Sequence, residues 1–450
     1  MFVLRQDVSK HMKRLRVHIV EMCGLALLLV VQGWPQHRIS DLDRGRAQDM
    51  LRVVADEVRK HYDPKLHGID WDPKVAEAKQ RIEKATSMNM ALSEIAGLLN
   101  TLNDSHTFFV PPQHADRFDH GWQYQMIGEK CFVTRVRPKS DAALKGLKPG
   151  DEILALDGYR PTRENVWKMQ YVYSVLRPQP GFRLGLRDPA GSQRELDVAT
   201  KIHERKRVTN LTFDGMSDIW GLLRENEAHE QLMRLRYAEI SDQLIAVKLP
   251  EFFSTLSEIE TMIDRVRKYP ALIVDVRGNP GGASETLKYL VGGMFDKEVT
   301  IDTRNGRRES KPEVAKPGRH PFLGKLAVLV DSNSASAAEI FARVVQLEKR
   351  GLVVGERTSG SVMEAKHYNE KMGTDTEIFY GVSVTEWAVT MSDGKGLEHV
   401  GVIPDEIVVP TAQDLASNSD PMMARAAETL GVKLSPEEAS KLFPYEWPPD

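Results

Sequence analysis

The chain has 450 residues, which is longer than one ordinary domain, and typical domain sizes suggest about three domains. Apolar residues make up 41% and charged residues 28% of the chain, both close to the averages for soluble globular proteins, so a largely disordered chain is excluded. The formal net charge is −3 and no long basic block is present. This argues against nucleic acid as a partner, because phosphate binding needs a concentrated positive face.

Residues 1–34 have the pattern of a secretory signal. Basic residues up to Arg16 precede a short apolar run from Cys23 to Val31, and Pro35 follows soon afterwards. This order is typical of a signal peptide, and the run is too short to span about 30 Å of hydrocarbon comfortably. We therefore predict a signal peptide and an exported protein, either periplasmic or secreted. The alternative is an uncleaved segment that anchors the chain in a membrane.

The cysteine count excludes one kind of metal site. Only two cysteines are present, and Cys131 is the one that lies outside the predicted signal. The chain therefore has neither a disulfide framework nor a cysteine-based metal site. We predict that the protein uses no metal and no cofactor.

Hydrophobic periodicity divides the remaining chain into four regions. Residues 35–118 are predicted as an N-terminal helical region, because apolar residues recur at spacings of three and four. Residues 119–205 show short strands separated by turn residues. Residues 206–410 alternate between strands and helices, which indicates a layered α/β core, and residues 411–450 are predicted as a polar helical tail. The predicted core strands are 244–249, 271–276, 326–330, 352–355 and 382–391, and the predicted core helices are 256–269, 284–295 and 335–348.

The most informative segment runs from a predicted strand into a helix at Ser336. Small residues fill the short stretch between Val330, the last residue of the strand, and the start of the helix. A serine at such a junction can expose its Oγ, and backbone N–H groups at the helix start can bind a developing oxyanion. The alternative is a plain N-cap, a position at which serine is favoured.

A second segment, Arg277–Gly282, follows another predicted strand and contains three glycines and a proline. Glycine adopts positive φ and allows close approach of the backbone, so the N–H groups of this turn can point into a site. A plain connecting turn is the alternative. Asp275 and Arg277 are predicted to be structural.

Two further segments supply a histidine and an acid. Asn103–Thr107 carries Ser105 and His106 directly after the last N-terminal helix, and Gly396–Asp405 carries Glu398 at a strand edge. Taken singly, a histidine in a loop is more often a surface or capping residue than a catalytic one. Its interpretation therefore depends on the other segments.

Together these segments resemble one family, the carboxy-terminal processing (tail-specific) and tricorn-core serine peptidases. The resemblance covers about residues 40–410, and the order of the segments agrees with it. It implies an α/β fold (α+β multidomain) with an N-terminal helical region, a PDZ-like β-rich insert and a layered α/β catalytic core. The segments that carry it are 102–107, 146–158 (GLKPGDEILALDG), 277–282, 336–339 and 401–405.

The resemblance also implies roles for individual residues. Ser336 matches the nucleophile of the family. The N–H of Ala337, together with that of Gly281 or Gly282, matches the oxyanion hole.

The base distinguishes this chain from the tail-specific members. Those members have a lysine after a T-x-G segment, where this chain has Ser361, and a hydroxyl cannot accept the proton as a neutral amine can. The chain instead resembles the tricorn core, in which His106 would be the base, Glu398 would orient it and Ser105 would assist. Imidazole suits this role near neutral pH. Lys366 could replace the missing lysine only through a shift of its loop.

The implied function is that of a serine endopeptidase that cleaves polypeptides through an acyl-enzyme. The PDZ-like insert would position these substrates, by binding their C-terminal tails through strand addition, although the carboxylate loop at residues 121–124 matches the family only loosely. A homo-oligomer is compatible with the resemblance. The alternative is a catalytically weak or inactive relative of the same fold that binds apolar ligands or peptides.

Overall fold

The computed structural model describes most of the chain from Ile39 onward. The predicted signal peptide lies outside the described residues. Among the helices in these ranges, none is long and apolar enough to cross a membrane. The described ranges are 39–62, 68–112, 116–203, 230–307, 309–373 and 377–448.

Three helices form the N-terminal region, as predicted. Two of them begin at a capping serine, because Ser40 and Ser87 each accept a hydrogen bond from a backbone N–H of the first turn. The helices pack against one another through apolar faces of helical period. The loop after the third helix carries Ser105 and His106. The helices are α1 (Asp41–His61), α2 (Trp71–Lys84) and α3 (Met88–Asn100).

A β-rich unit follows in the region predicted as the PDZ-like insert. We call residues 117–203 the β module. Its five-stranded antiparallel sheet has the order β3-β4-β5-β6-β7, so β3 is an edge strand, and β2 pairs with β8 beside it. The elements from the end of the helical region onward are β1 (Phe108–Val110), β2 (Arg117–Asp119), β3 (Trp122–Ile127), β4 (Lys130–Val136), α4 (Asp141–Leu144), β5 (Glu152–Leu156), α5 (Val166–Tyr171), β6 (Gly181–Arg187), β7 (Gln193–Ala199) and β8 (Lys201–His203).

The remaining residues form the α/β core and a second sheet. The core sheet has six strands in the order β18-β15-β14-β11-β10-β9, and all neighbours except the β9–β10 pair are parallel. The second sheet joins β1, β17, β12 and β13, with β16 paired to β17. The elements are β9 (Arg236–Ser241), β10 (Leu244–Lys248), α6 (Leu256–Val266), β11 (Ala271–Asp275), α7 (Ser284–Gly292), β12 (Val299–Gly306), β13 (Ser310–Ala315), β14 (Lys325–Val330), α8 (Ala337–Leu347), β15 (Leu352–Gly355), β16 (Met363–Met372), β17 (Ile378–Met391) and β18 (Glu406–Ile407).

Helices cover both faces of the core sheet. Alternate strand residues such as Val274 and Val328 face α6, α7 and α8, whereas Ile273 and Leu329 belong to the apolar cluster on the opposite face. This layered arrangement confirms the predicted α/β class with several sheets. α6 and α7 end a few residues earlier than predicted, at Val266 and Gly292.

The C-terminal residues, predicted as a polar tail, contribute part of this second layer. Met422, Met423 and Ala427 are buried against the sheet face that carries Ile273. The chain then continues to the β module, where Tyr445 Oη accepts a hydrogen bond from Gln123 Nε2 (2.5 Å). These residues are therefore packed on both the core and the β module. The helices are α9 (Ala412–Ala416), α10 (Pro421–Thr429) and α11 (Pro436–Ala439).

Candidate active site

Four loops meet at one edge of the core sheet. They follow β10, β11, β14 and β15, which run parallel, so their carboxyl ends lie together. Open α/β sheets bind ligands at this edge. The loops after β11 and β14 carry the glycine turn and Ser336, and the loop after β15 carries Ser361.

Ser336 occupies a strained turn at the start of α8. Its backbone has φ 53° and ψ −121°, a conformation that non-glycine residues rarely adopt and that is found at functional sites. Its N–H donates to the carbonyl oxygen of Ser361 (2.8 Å) and to Glu339 Oε2 (3.1 Å). Glu339 accepts this N–H as in a capping box, so Ser336 is the N-cap of α8 as well as the serine that faces His106.

The neighbouring serines are engaged elsewhere. The hydroxyl of Ser332 donates to the carbonyl oxygen of Met126 (2.5 Å) in the β module. The hydroxyl of Ser334 is fully buried and donates to the carbonyl oxygen of Val276 (2.9 Å). Ser336 is therefore the serine of this loop whose hydroxyl is available to the site.

His106 faces Ser336 across the site. Its Nε2 lies 3.4 Å from Oγ of Ser336, and the two residues are 230 positions apart in the chain. Asp104 holds the loop, because its Oδ1 accepts the N–H of His106 (2.8 Å) and the hydroxyl of Thr385 (2.8 Å) on β17. Burial lowers the pKa of His106 below its ordinary value, and the Asp104 carboxylate opposes that effect.

The carboxylate of Glu398 reaches His106 through Ser105. Oγ of Ser105 lies 2.8 Å from Nδ1 of His106 and donates to Glu398 Oε2 over 2.9 Å. Glu398 also accepts the N–H groups of Ser105 (3.0 Å) and Val362 (2.7 Å). Burial raises the pKa of Glu398, and these hydrogen bonds oppose the rise. Glu398 was expected to orient the imidazole with Ser105 assisting; in the structure the hydroxyl stands between them.

Glu339 organises the loops around Ser336, a role that sequence reasoning missed. It is fully buried, and its carboxylate accepts hydrogen bonds from the N–H groups of Ser336, Gly360 (2.8 Å) and Ser361 (2.9 Å) and from the hydroxyl of Thr358 (2.5 Å). Burial raises the pKa of Glu339 to about 7, and these donors oppose the rise. The available signal was its place three residues after Ser336, the spacing of a capping box.

The glycine turn lies against the serine. A Cβ on Gly281 would stand 2.6 Å from Cβ of Ser336, so only glycine fits there. The N–H of Gly281 is already used, because it donates to Asn279 Oδ1 (2.8 Å). The N–H groups of Gly282 and Ala337 donate to no acceptor within the described part of the chain. The two oxyanion candidates from the glycine turn are thus not equivalent.

The remaining candidate residues, Lys366, Asp275 and Arg277, are not part of the hydrogen-bonded line that joins Ser336, His106, Ser105 and Glu398. The ammonium of Lys366 lies 5.5 Å from the ring centre of Tyr368, and the described part of the chain shows no hydrogen bond between Lys366 and Ser336. Arg277 binds Asp275 and Asp420 with paired hydrogen bonds. Burial alone would raise the pKa of Asp275, but Arg277 and Lys248 lower it well below its ordinary value. These contacts place Asp275 and Arg277 in one ion-pair cluster.

Among the described residues, no group of three or more His, Cys, Asp or Glu side chains is placed to hold a metal ion.

The fold and the site together define a class, an α/β protein in which a strained serine, a histidine, a second serine and a glutamate form one hydrogen-bonded line. Residues 243–408 match the model of peptidase family S41.

Individual relatives agree with this family. The chain is 24% identical over 284 residues to the tail-specific protease of Haemophilus influenzae, a match that covers 59% of this chain and 38% of the relative. It is 23% identical to the carboxy-terminal processing protease CtpB of Bacillus subtilis, over 71% of this chain and 60% of the relative. The carboxyl-terminal-processing protease of Picosynechococcus sp. is 26% identical, over 86% of this chain and 89% of the relative. The chain spans less than two thirds of the length of the first two relatives.

A solved structure shares the fold. The crystal structure of mature CPAF matches with a TM-score of 0.63 at 16% identity, covering 84% of this chain and 95% of CPAF. At this identity the likeness shows a shared fold.

Proposed function

We propose that the protein is a serine endopeptidase that hydrolyses peptide bonds through an acyl-enzyme. The observation that carries the proposal is a series of three contacts: Ser336 Oγ to His106 Nε2 (3.4 Å), His106 Nδ1 to Ser105 Oγ (2.8 Å), and Ser105 Oγ to Glu398 Oε2 (2.9 Å). A base within hydrogen-bond reach of a hydroxyl, oriented by a further group, is the arrangement that activates a serine. Distances of this kind are often long before substrate binds.

The hydrogen-bonding partners determine the tautomer that the mechanism needs. Nε2 of His106 must accept the proton of Ser336, so the neutral ring carries its proton on Nδ1 and donates it to Ser105 Oγ. Ser105 then donates to Glu398, whose oxygens face only donors and therefore suit the anionic form. The carboxylate stabilises the imidazolium through this hydroxyl.

The reaction would proceed in two balanced halves. Oγ of Ser336 attacks the peptide carbonyl carbon while its proton moves to Nε2 of His106. The C–N bond then breaks as His106 returns that proton to the leaving amine, which leaves an acyl-enzyme. Water, deprotonated by His106, then attacks the ester; the ester C–O bond breaks as His106 returns the proton to Ser336 Oγ, which releases the new carboxyl terminus and free Ser336.

The oxyanion would be bound by the N–H groups of Ala337 and Gly282. Ala337 offers the first amide of α8, where the helix dipole also favours negative charge. The carbonyl oxygen of Gly281 accepts the N–H of Phe252 (2.8 Å). Because C=O and N–H of one trans peptide point in opposite directions, the Gly282 N–H points away from Phe252. This supports Gly282 over Gly281 as the second donor.

The β module would position polypeptide substrates for this site. Strand addition needs an exposed edge strand, and β3 lies at the edge of the module's sheet. Its Gln125 Nε2 donates to Asp331 Oδ2 (2.9 Å) and to Ser332 Oγ (3.0 Å), in the loop that leads to Ser336. A chain bound along β3 would therefore start close to the nucleophile. Binding of C-terminal tails, export from the cell and a homo-oligomer belong to the same proposal.

The test is covalent labelling with a fluorophosphonate followed by peptide mapping. The wild type should be labelled at Ser336 and should cleave a denatured protein, whereas Ser336→Ala should do neither while keeping its melting temperature. Ser332→Ala is the matched control from the same loop and should still be labelled. Absence of labelling in the wild type would instead support the inactive binding relative.

A further inference from the structure

The loop between β10 and α6 presents an exposed aromatic ring beside the proposed active site. Phe252 is fully buried, whereas the next residue, Phe253, is 64% exposed. The loop is held on both sides of this pair. The carbonyl oxygen of Leu249 accepts a hydrogen bond from the Asn279 side chain (2.9 Å), and that of Ser254 accepts the hydroxyl of Thr286 (2.6 Å).

This loop lies directly against the glycine turn. The N–H of Phe252 donates to the carbonyl oxygen of Gly281 (2.8 Å), and the N–H of Ala283 donates to that of Phe252 (2.7 Å). Gly281 in turn touches Ser336. Phe253 is thus one residue from the backbone that flanks the proposed oxyanion donor.

That spacing sets the range over which the ring can act. Consecutive Cα atoms are about 3.8 Å apart, and an extended substrate advances about 3.3 Å per residue. Phe253 therefore lies within about three substrate residues of the bond to be cut. A single exposed apolar side chain is common on protein surfaces; what distinguishes Phe253 is this position and the backbone held on both sides of it.

We propose that Phe253 is a specificity-determining residue, which favours polypeptides with an apolar side chain close to the scissile bond. The inference rests on the proposed peptidase function and deepens it. Contact between the ring and an apolar substrate side chain removes both surfaces from water. A polar side chain of the same volume gains nothing from this contact and loses hydration.

The experiment begins with the cleavage sites of the wild type in a denatured protein, mapped by mass spectrometry. Quenched peptides are then built around one site, with leucine or its near-isostere asparagine at each of the three positions on either side of the bond. The measured quantity is the ratio of kcat/KM for the leucine and asparagine peptides. We expect the wild type to favour leucine about tenfold at one position.

The variants separate recognition from general damage. Phe253→Ala should lower that ratio to about twofold or less, and Phe253→Leu should retain most of it. Hydrolysis of a small acyl ester should stay within about twofold of the wild type in both. Phe379→Ala is the matched control, because Phe379 is equally exposed at 64% but lies at the far end of the β16–β17 hairpin, paired with Lys371. It should leave the ratio unchanged.

Two outcomes would overturn the inference. An unchanged leucine preference in an active Phe253→Ala enzyme would exclude recognition by the ring. An equal loss on the ester and on all peptides would assign Phe253 a structural role instead. If the wild type is neither labelled at Ser336 nor able to cut peptides, the proposed function itself is wrong. If the wild type is labelled but Phe253→Ala keeps its leucine preference, only the role of Phe253 is refuted.

Discussion

Oγ of Ser105 lies 2.8 Å from Nδ1 of His106, the ring of the very next residue. On its other side the same hydroxyl donates to Glu398 Oε2 over 2.9 Å. The carboxylate thus acts on the imidazole through a neighbouring hydroxyl, and the proposed orientation of His106 depends on Ser105 as much as on Glu398.

Ser105→Ala should reduce kcat/KM by roughly 10- to 100-fold, because it removes one hydrogen bond in a line that ends on a charged group. Both the peptide and the small ester should be affected alike, since both need the base. Ser361→Ala is the matched control: its backbone contacts the site, but its hydroxyl bonds to no described residue, so the variant should be mild. Near-normal turnover of Ser105→Ala would show that His106 is oriented without the hydroxyl.

His106→Ala should lower kcat by several orders of magnitude, as loss of a base in such a unit does elsewhere. Glu398→Gln should cost less than that, because the neutral amide still occupies the position but no longer stabilises the imidazolium. Lys366→Ala should change little. Active His106→Ala and Glu398→Gln enzymes, together with an inactive Lys366→Ala, would falsify the histidine mechanism and restore a lysine base.

Gly281→Ala should abolish most activity, because the new Cβ would stand 2.6 Å from Cβ of Ser336 and displace the nucleophile. Gly278→Ala controls for backbone strain: Gly278 also has positive φ, at 70° compared with 100° for Gly281, but a Cβ there meets nothing within 4 Å. Both variants should lose about 1 kcal/mol of unfolding free energy or more from the unfavourable φ. If the two lose activity equally, backbone strain and not the contact with Ser336 is responsible.

Replacement of residues 119–205 by a short linker should weaken cleavage of proteins more than hydrolysis of a small ester, because the β module is proposed to position chains and supplies no catalytic group. The measurement is kcat/KM for a denatured protein and for the ester, with melting temperatures as a check on folding. An equal loss on both substrates would make the module part of the catalytic structure.

The contacts of the β module allow a finer control. Arg163 binds the buried carboxylate of Glu356 and donates to the carbonyl oxygen of Arg357 (3.2 Å), at the start of the loop that reaches Ser361. Arg163→Met leaves the module in place but breaks this ion pair. The kcat/KM of this variant for the small ester shows how much the contact of the module with Glu356 and Arg357 supports the active site itself.

The local motifs could be predicted from the sequence, but their connections could not. The strands that precede Arg277 and Ser336 were evident from apolar runs, and the order of the motifs indicated the family. Ser105 and Glu398, in contrast, are 293 positions apart, and no spacing rule shows that a hydroxyl lies between a carboxylate and an imidazole. Which glycine has a free N–H likewise depends on the hydrogen bond from Gly281 to Asn279, which exists only in the folded chain.

The C-terminal residues show a different limit. Met422, Met423, Ala426 and Ala427 recur at the spacing of one helix face, and they are buried on the core sheet. Polar residues before and after this segment concealed the pattern, since the local composition indicated a polar tail. A helix is buried according to its one apolar face and not according to its average polarity.

The pH dependence of activity follows from the surroundings of His106. The ring must be neutral to accept the proton of Ser336. Burial lowers the pKa of His106 from its ordinary value near 6.5, and Asp104 opposes that effect. kcat/KM should therefore be flat near neutral pH and fall on acidification below about 6.5, approaching tenfold per pH unit. With a lysine as the base, this fall of activity on acidification would begin at a higher pH.

Asp104→Asn tests whether the pKa of His106 sets the acidic limb, the fall of kcat/KM on acidification. Asparagine keeps the Oδ1 acceptor for the N–H of His106, and it replaces Oδ2, which has no hydrogen-bond partner among the described residues. The change removes a negative charge that raises the pKa of His106, so that pKa should fall and the acidic limb should move to lower pH. Lys366→Ala should leave the limb in place. A limb above pH of about 7.5 that survives in Asp104→Asn but shifts in Lys366→Ala would assign the titrating group to the lysine.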